Sequence, residues 1–386
     1  MELLRVTITT KKSIHANKPA KLIFDDGTVF DGQGFGYSTT VFGEIVFNTG
    51  MVGYTEALTD PSYNGQILTL TYPLVGNYGV PDPEIKDEDG IAKFFESDVM
   101  QIRGLVVHEL SLTASHWNLK MTLDEWMYNE KVPGISGIDT RAVTKKLRSG
   151  GVMMAALVVS DEAIDVEKVK KELAEATDYN SEKFMDSVST KEEKIYGNDS
   201  ESVVVIDTGA KNAIVRNVRE LGYKAIVVPW DTPYDKIMSH NPKGVVLSSG
   251  PGDPQNCPAT VDTAKKLIQN NVPTLGICLG AQIIGLAGNT ETYKLKYGHR
   301  GQNKPCINLE TNQVYVTSQN HGYGIKPESL EKSDFKLWFT NADDKTVEGI
   351  KHKTQNCIAV QFHPEAAPGP FDCKYVFDEL KKLMEK

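Results

Sequence analysis

Pro273-Thr-Leu-Gly-Ile-Cys278-Leu-Gly-Ala-Gln282 is an apolar run that stops at a Gly-x-Cys-x-Gly turn and leaves as a helix. Thr274, Leu275 and Ile277 predict a buried strand, and residues Leu279 to Ala287 predict a helix packed against it. Glycines at 276 and 280 remove the β-carbons that would collide in so tight a strand-to-helix corner, the geometry of a nucleophile elbow with cysteine at its tip. The same strand-then-helix pattern surrounds it. Ser202 to Asp207, Ala225 to Val228 and Gly244 to Leu247 read as buried strands, with a helix from Asn212 to Leu221 between the first two. Such alternation predicts an α/β fold, a doubly wound, mostly parallel sheet covered on both faces, with its site at the carboxyl ends of the strands.

Cys278 lies at such an end, and the helix beginning beneath it offers unpaired N–H groups and a positive dipole end that favour a thiolate and an adjacent oxyanion. The partner for the thiol is at the end of the run Cys357-Ile-Ala-Val-Gln-Phe-His363-Pro-Glu365. Residues two apart in an extended chain share a face, so His363 and Glu365 point the same way, and Pro364 ends ladder pairing. A carboxylate beside an imidazole fixes its tautomer and stabilises the imidazolium, so the pair is suited to move a proton from sulfur to a leaving amine. Gly250-Pro-Gly252-Asp253 also follows a strand; it lacks the Gly-Lys-Ser/Thr ending of a phosphate loop and reads as backbone approaching a substrate. Val314 to Tyr323 reads as a strand ending in a polar turn, within which His321 is structural or pocket-lining.

The first half of the chain reads as a mixed β/α domain. Lys21 to Phe30 predicts a hairpin with an Asp-Gly turn; Glu44 to Phe47, Gln66 to Leu70, Leu105 to His108 and Ala155 to Val159 predict further strands. Thr122 to Asn129 and Thr140 to Arg148 have helical spacing, and residues 161 to 178 form an amphipathic surface helix. Periodicity fades where the sequence turns polar. The expected organisation is residues 1–180 as one domain, 181–201 as a linker and 202–386 as the second domain, closed by a helix from Tyr375 to Met384.

Composition bounds the function. A 386-residue chain accommodates two or three domains, and 24% charged residues with a net charge of −9 argue against nucleic acid or an anionic membrane as partner. No run approaches the roughly 18 apolar residues of a membrane span, and Met-Glu-Leu-Leu-Arg at residues 1–5 does not read as a signal peptide. The 5 cysteines, odd in number and scattered, fit a reducing cytoplasm. With no Cys-x-x-Cys or paired-His spacing, no metal site is expected.

The Gly-Ile-Cys-Leu-Gly, His-Pro-Glu and Ser-Gly-Pro-Gly-Asp-Pro motifs resemble those of class I (triad) glutamine amidotransferases. The blocks Phe47 to Tyr54, Leu58 to Tyr63, Leu70 to Asn77 and Gly137 to Arg141 resemble the amino-terminal domain of the carbamoyl-phosphate synthetase small-chain family, in that family's order. The resemblance implies a Cys278–His363–Glu365 triad that releases ammonia from L-glutamine through a γ-glutamyl thioester. It further implies an oxyanion site from the backbone of Gly250, Gly252 and Leu279, and glutamine contacts from Ser62, Gln282, Asn320, Gly322 and Tyr323. Ammonia would pass to a large subunit that binds ATP and magnesium and makes carbamoyl phosphate from bicarbonate, with no cofactor on this chain and a hetero-oligomer as the working form. Ala281, where many members have His, and Tyr323, where many have Phe, depart from the family pattern and bear on affinity or coupling, with the triad intact. Two other readings compete: the amidotransferase of a different synthase, such as those making GMP or anthranilate, and a non-enzymatic regulatory subunit. The amino-terminal blocks disfavour the first and the intact triad the second.

Overall fold

A computed structural model describes residues 9–386, so the pentapeptide at residues 1–5 lies outside the described residues. The chain separates into two compact units, residues 1–87 with 92–181, and residues 88–91 with 182–386.

The first unit is built on a closed barrel of the strands Lys18–Phe24, Val29–Gly36, Thr40–Asn48, Gln66–Leu70, Gly104–Val106, Pro133–Ser136 and Met153–Val159. The expected hairpin turns at Gly27, whose φ of 86° is open to glycine at little cost. Closure comes from Pro133–Ser136, which pairs antiparallel with Val29–Gly36 on one side and parallel with Gly104–Val106 on the other. The contact is tight enough that a β-carbon on Gly134 would stand 2.3 Å from the Phe35 ring. The amphipathic segment expected over 161–178 is helical only over Val166–Glu175, because the Asp165 side chain accepts from Lys168 N and caps the helix there. Val169 and Leu173 on its buried face pack on Ile23, Ala156 and Val158 of the barrel.

The second unit holds a ten-stranded sheet. Its parallel part runs through Lys224–Pro229, Ser202–Asp207, Gly244–Leu247, Thr274–Ile277 and Cys357–Val360 in that spatial order. Antiparallel strands extend it at both edges. The parallel part starts at Ser202–Asp207, places the next strand to one side and the rest to the other, so connections diverge there and leave a crevice at the carboxyl ends. Leu275 and Ile277 point into an apolar cluster with Val218 and Phe377 of the helices Asn212–Glu220 and Tyr375–Met384. Gly276 points the other way, where a β-carbon would lie 2.6 Å from Ile284 of the helix Leu279–Ala287. Helices therefore cover both faces.

Two expectations change in detail. The stretch 181–201, expected as a linker, contributes the helix Met185–Val188 and the edge strand Lys194–Tyr196, which pairs antiparallel with Lys224–Pro229. Residues 320–323, expected as a turn, stay in the strand Gln313–Ile325, because Asn320, His321 and Tyr323 pair with Arg300, His299 and Lys294 of the strand Thr292–Asn308. Polar residues mimic a turn in sequence, yet here their backbone groups are ladder-bonded. Among the described residues, no helix is long and apolar enough to cross a membrane.

Candidate active site

Cys278 sits between Thr274–Ile277 and Leu279–Ala287 with φ 54° and ψ −105°. Two backbone bonds hold the corner: Cys278 N donates to Val360 O at 2.9 Å, and Gly280 N donates to Ser248 O at 3.0 Å. Both flanking glycines are sterically required, since a β-carbon on Gly280 would lie 2.2 Å from Leu247 O and one on Gly276 2.7 Å from Gly280 O. Gly250 is equally constrained: its β-carbon would stand 1.8 Å from Thr208 O, so the loop after Gly244–Leu247 runs against the loop after Ser202–Asp207. Gly252 has φ 87° and faces the Phe184 ring.

His363 follows Cys357–Val360, the strand beside that of Cys278, and its backbone N–H donates to Ser318 O at 2.9 Å. Its Nδ1 lies 2.6 Å from Glu365 Oε1. The Lys211 ammonium lies 3.2 Å from the same carboxylate oxygen, and the Lys211 and Glu365 side chains are only 4% and 0% exposed. The Cys278 sulfur is an electrostatic neighbour of His363, whose Nε2 has no hydrogen-bond partner among the described residues. Burial opposes charge on His363, but the Glu365 carboxylate and the facing Cys278 sulfur outweigh it and hold the imidazole well above its ordinary pKa. Burial likewise opposes charge on Glu365, where Lys211 and His363 prevail and keep the carboxyl ionised far below its usual range. Lys211, Gly250, Cys278 and His363 each follow one of four adjacent parallel strands, so the crevice gathers groups that are distant in sequence.

Cys278 is 1% exposed, and its sulfur has further neighbours. It donates to Asn320 O at 3.6 Å, and Gln361 Nε2 donates to it at 3.7 Å. Leu279 is the first residue of the helix, where backbone N–H groups lack intrahelical acceptors. Gln282 Nε2 donates to Tyr323 O at 2.9 Å and to Gln361 Oε1 at 3.1 Å, which commits its amide to the protein. Gly322 lies between Asn320 and Tyr323 on the same strand, and the Lys294 ammonium stands 6.0 Å from the Tyr323 ring centroid. Ser62 belongs to the first unit, buried in the turn Pro61–Tyr63, where its N–H donates to Asp60 Oδ1 at 2.9 Å.

Sequence reasoning missed Lys211 and Gln361. Lys211 had one signal, its place in Asp207-Thr-Gly-Ala-Lys211, immediately past a strand end. Sequence reasoning also missed the one group of possible metal ligands found among the described residues, His299, His321 and Glu348.

Residues 204–383 match the family Glutamine amidotransferase class-I, and residues 22–157 match Carbamoyl-phosphate synthase small chain, CPSase domain. The carbamoyl phosphate synthase small chain of Pyrococcus furiosus is 44% identical over 96% of this chain and 98% of its own length. That of Methanopyrus kandleri is 44% identical over 94% of this chain and 98% of its own length, and that of Sulfurisphaera tokodaii is 43% identical over 95% and 96%. With identity running nearly end to end and both halves matching, the chain belongs to the carbamoyl phosphate synthase small-chain family, and its second unit is a class-I glutamine amidotransferase domain.

Proposed function

We propose that this chain hydrolyses L-glutamine and delivers the ammonia to a synthetase large subunit that makes carbamoyl phosphate. The observation that carries the reading is the buried row Lys211–Glu365–His363, beside the Cys278 sulfur on a strand-to-helix corner. His363 takes the thiol proton, and the thiolate attacks the side-chain amide carbon of glutamine. The backbone N–H groups of Leu279 and of the Gly250–Gly252 loop stabilise the tetrahedral oxyanion. The imidazolium then protonates the departing nitrogen, leaving ammonia and a γ-glutamyl thioester. Neutral His363 next accepts a proton from water, the hydroxide attacks the thioester, and glutamate leaves as the thiol is restored. Glu365 stays ionised throughout and holds Nδ1–H towards itself, which leaves Nε2 as the nitrogen that exchanges the proton.

Asn320, Gly322 and Tyr323, on the strand beside the sulfur, are the proposed contacts for the α-amino and α-carboxylate groups, with Gln282 bracing that strand through Tyr323 O. Ser62 is the proposed contact from the first unit. ATP and magnesium are assigned to the large subunit and no cofactor to this chain. The free, buried cysteines 257, 278, 306, 357 and 373 fit a cytoplasmic setting.

The test is the Cys278→Ser variant assembled with the large subunit. Glutamine-dependent carbamoyl phosphate formation is lost while synthesis from added ammonia continues; retained use of glutamine refutes the assignment. A glutaminase assay on the wild-type complex separates this reading from a purely regulatory subunit.

A further inference from the structure

The antiparallel ladder between Thr292–Asn308 and Gln313–Ile325 sets His299 directly opposite His321. The two rings meet edge to face with centroids 5.0 Å apart. Glu348, in the strand Val347–His352, completes a group whose ligand atoms all lie within 4.8 Å of one another. All three residues are buried, at 7%, 5% and 0% exposure.

The hydrogen bonds around this group fix which atoms face inward. His299 Nε2 is 2.8 Å from Asp344 Oδ2, and His321 Nδ1 is 2.7 Å from Tyr323 O. Both partners are acceptors, so in each neutral ring that nitrogen carries the hydrogen, leaving lone pairs on His299 Nδ1 and His321 Nε2. Glu348 Oε1 accepts from Asn341 Nδ2 at 2.9 Å and stands 3.5 Å from His299 Nδ1, which anchors the carboxylate beside the rings. Among the described residues, His299 Nδ1, His321 Nε2 and Glu348 Oε2 have no hydrogen-bond partner. Buried acceptors without a donor are costly, and three of them converging form the environment of a bound cation. The outer bonds match those of metal-binding imidazoles, whose second nitrogen donates to a carboxylate or a backbone carbonyl. The Arg300 guanidinium nearby opposes a cation, and the carboxylates of Glu348 and Asp344 offset it.

We propose that His299 Nδ1, His321 Nε2 and a carboxylate oxygen of Glu348 bind one divalent first-row transition cation of the zinc class. Two imidazole nitrogens and one carboxylate suit zinc, whereas magnesium and calcium take oxygen ligands. Ligand atoms at zinc distances stand about 3.4 Å apart in a tetrahedral site, so modest side-chain rotation closes the group around the ion. Tyr323 O also accepts from Gln282, and the cation therefore braces the strand beside Cys278.

The test uses the full chain, stripped with a chelator and titrated with cobalt(II) at neutral pH. The expected result is a visible absorption that saturates at one equivalent per chain and is bleached by zinc. His299→Gln and Glu348→Gln each weaken zinc binding by about tenfold or more. Glu348→Gln preserves size and can keep the Asn341 contact, so it decides the matter if His299→Gln fails to fold by circular dichroism. Absence of saturable uptake, as for a group that holds only a proton, overturns the proposal. So does uptake of equal strength in the wild type and Glu348→Gln, which would place the metal on other histidines. Neither readout depends on glutamine hydrolysis.

Discussion

The barrel of the first unit and the open sheet of the second bury similar polar side chains to different ends. In the barrel, Glu44 is 4% exposed and takes a hydrogen bond from Gln66 Nε2 at 3.0 Å, a cross-strand pair between neighbours in a closed ladder. In the open sheet, Lys211, His363 and Glu365 are equally buried but come from loops after non-consecutive strands, and they meet at a crevice. Closure uses every strand edge and pairs polar groups within the wall. An open sheet whose connections diverge leaves its carboxyl ends free to gather ionisable groups.

The largest expected effect tests that division directly. Cys278→Ala lowers glutamine-dependent turnover of the assembled enzyme by about a thousandfold or more, while ammonia-dependent turnover stays within twofold. Glu44→Gln in the barrel leaves glutamine turnover unchanged and lowers the urea midpoint. If it abolished glutamine hydrolysis instead, the contrast between the units would collapse.

Next come the two charges behind the imidazole. Glu365→Gln lowers kcat by about a hundredfold or more. Glu365 raises the His363 pKa, so its removal lets the imidazolium lose its proton sooner, and the alkaline limb of the pH–rate profile moves to lower pH. Lys211→Met acts in the opposite sense on the acid side. Lys211 depresses the Glu365 pKa, so without it the carboxylate protonates at higher pH and the acid limb moves up. Rate profiles of both variants would sharpen the contrast; unshifted limbs would reduce the row to packing.

Smaller effects concern the backbone and the surface. Gly280→Ala drives a β-carbon against Leu247 O and costs about 3 kcal/mol in chemical denaturation. Gly137→Ala in the first unit, with φ 80° and nothing within 4 Å of the added carbon, costs about 1–2 kcal/mol from backbone conformation alone. Least of all, Lys146→Met removes the ion pair with Asp26, which holds that carboxyl down to about 2. Because the pair is solvent-exposed and screened, the loss stays under about 1 kcal/mol.

Local signals made the elbow legible. Glycines two residues to either side of Cys278 specify a tight corner, and His363 and Glu365 share a face because they are two apart in extended chain. Lys211 was illegible as a partner of Glu365, because their meeting depends on Ser202–Asp207 lying three strands from Cys357–Val360 in the sheet, and sheet order is not a local property. His299 and His321 were hidden for a related reason: their pairing is set by the register of a long irregular ladder, with shifts between Lys294 and His299. The polar run 320–323 carried turn composition, and only its partner strand shows that it is extended.

The backbone of Cys278, at φ 54°, lies where side-chain-bearing residues are strained by about 1–3 kcal/mol. The nucleophile is thus cocked like a spring, and only glycine would let it relax. Cys278→Gly should therefore cost less stability than Cys357→Gly, which empties an equally buried position in a regular strand. An inactive protein nearly as robust as its parent would measure how much stiffness the fold spends to keep one sulfur atom in place.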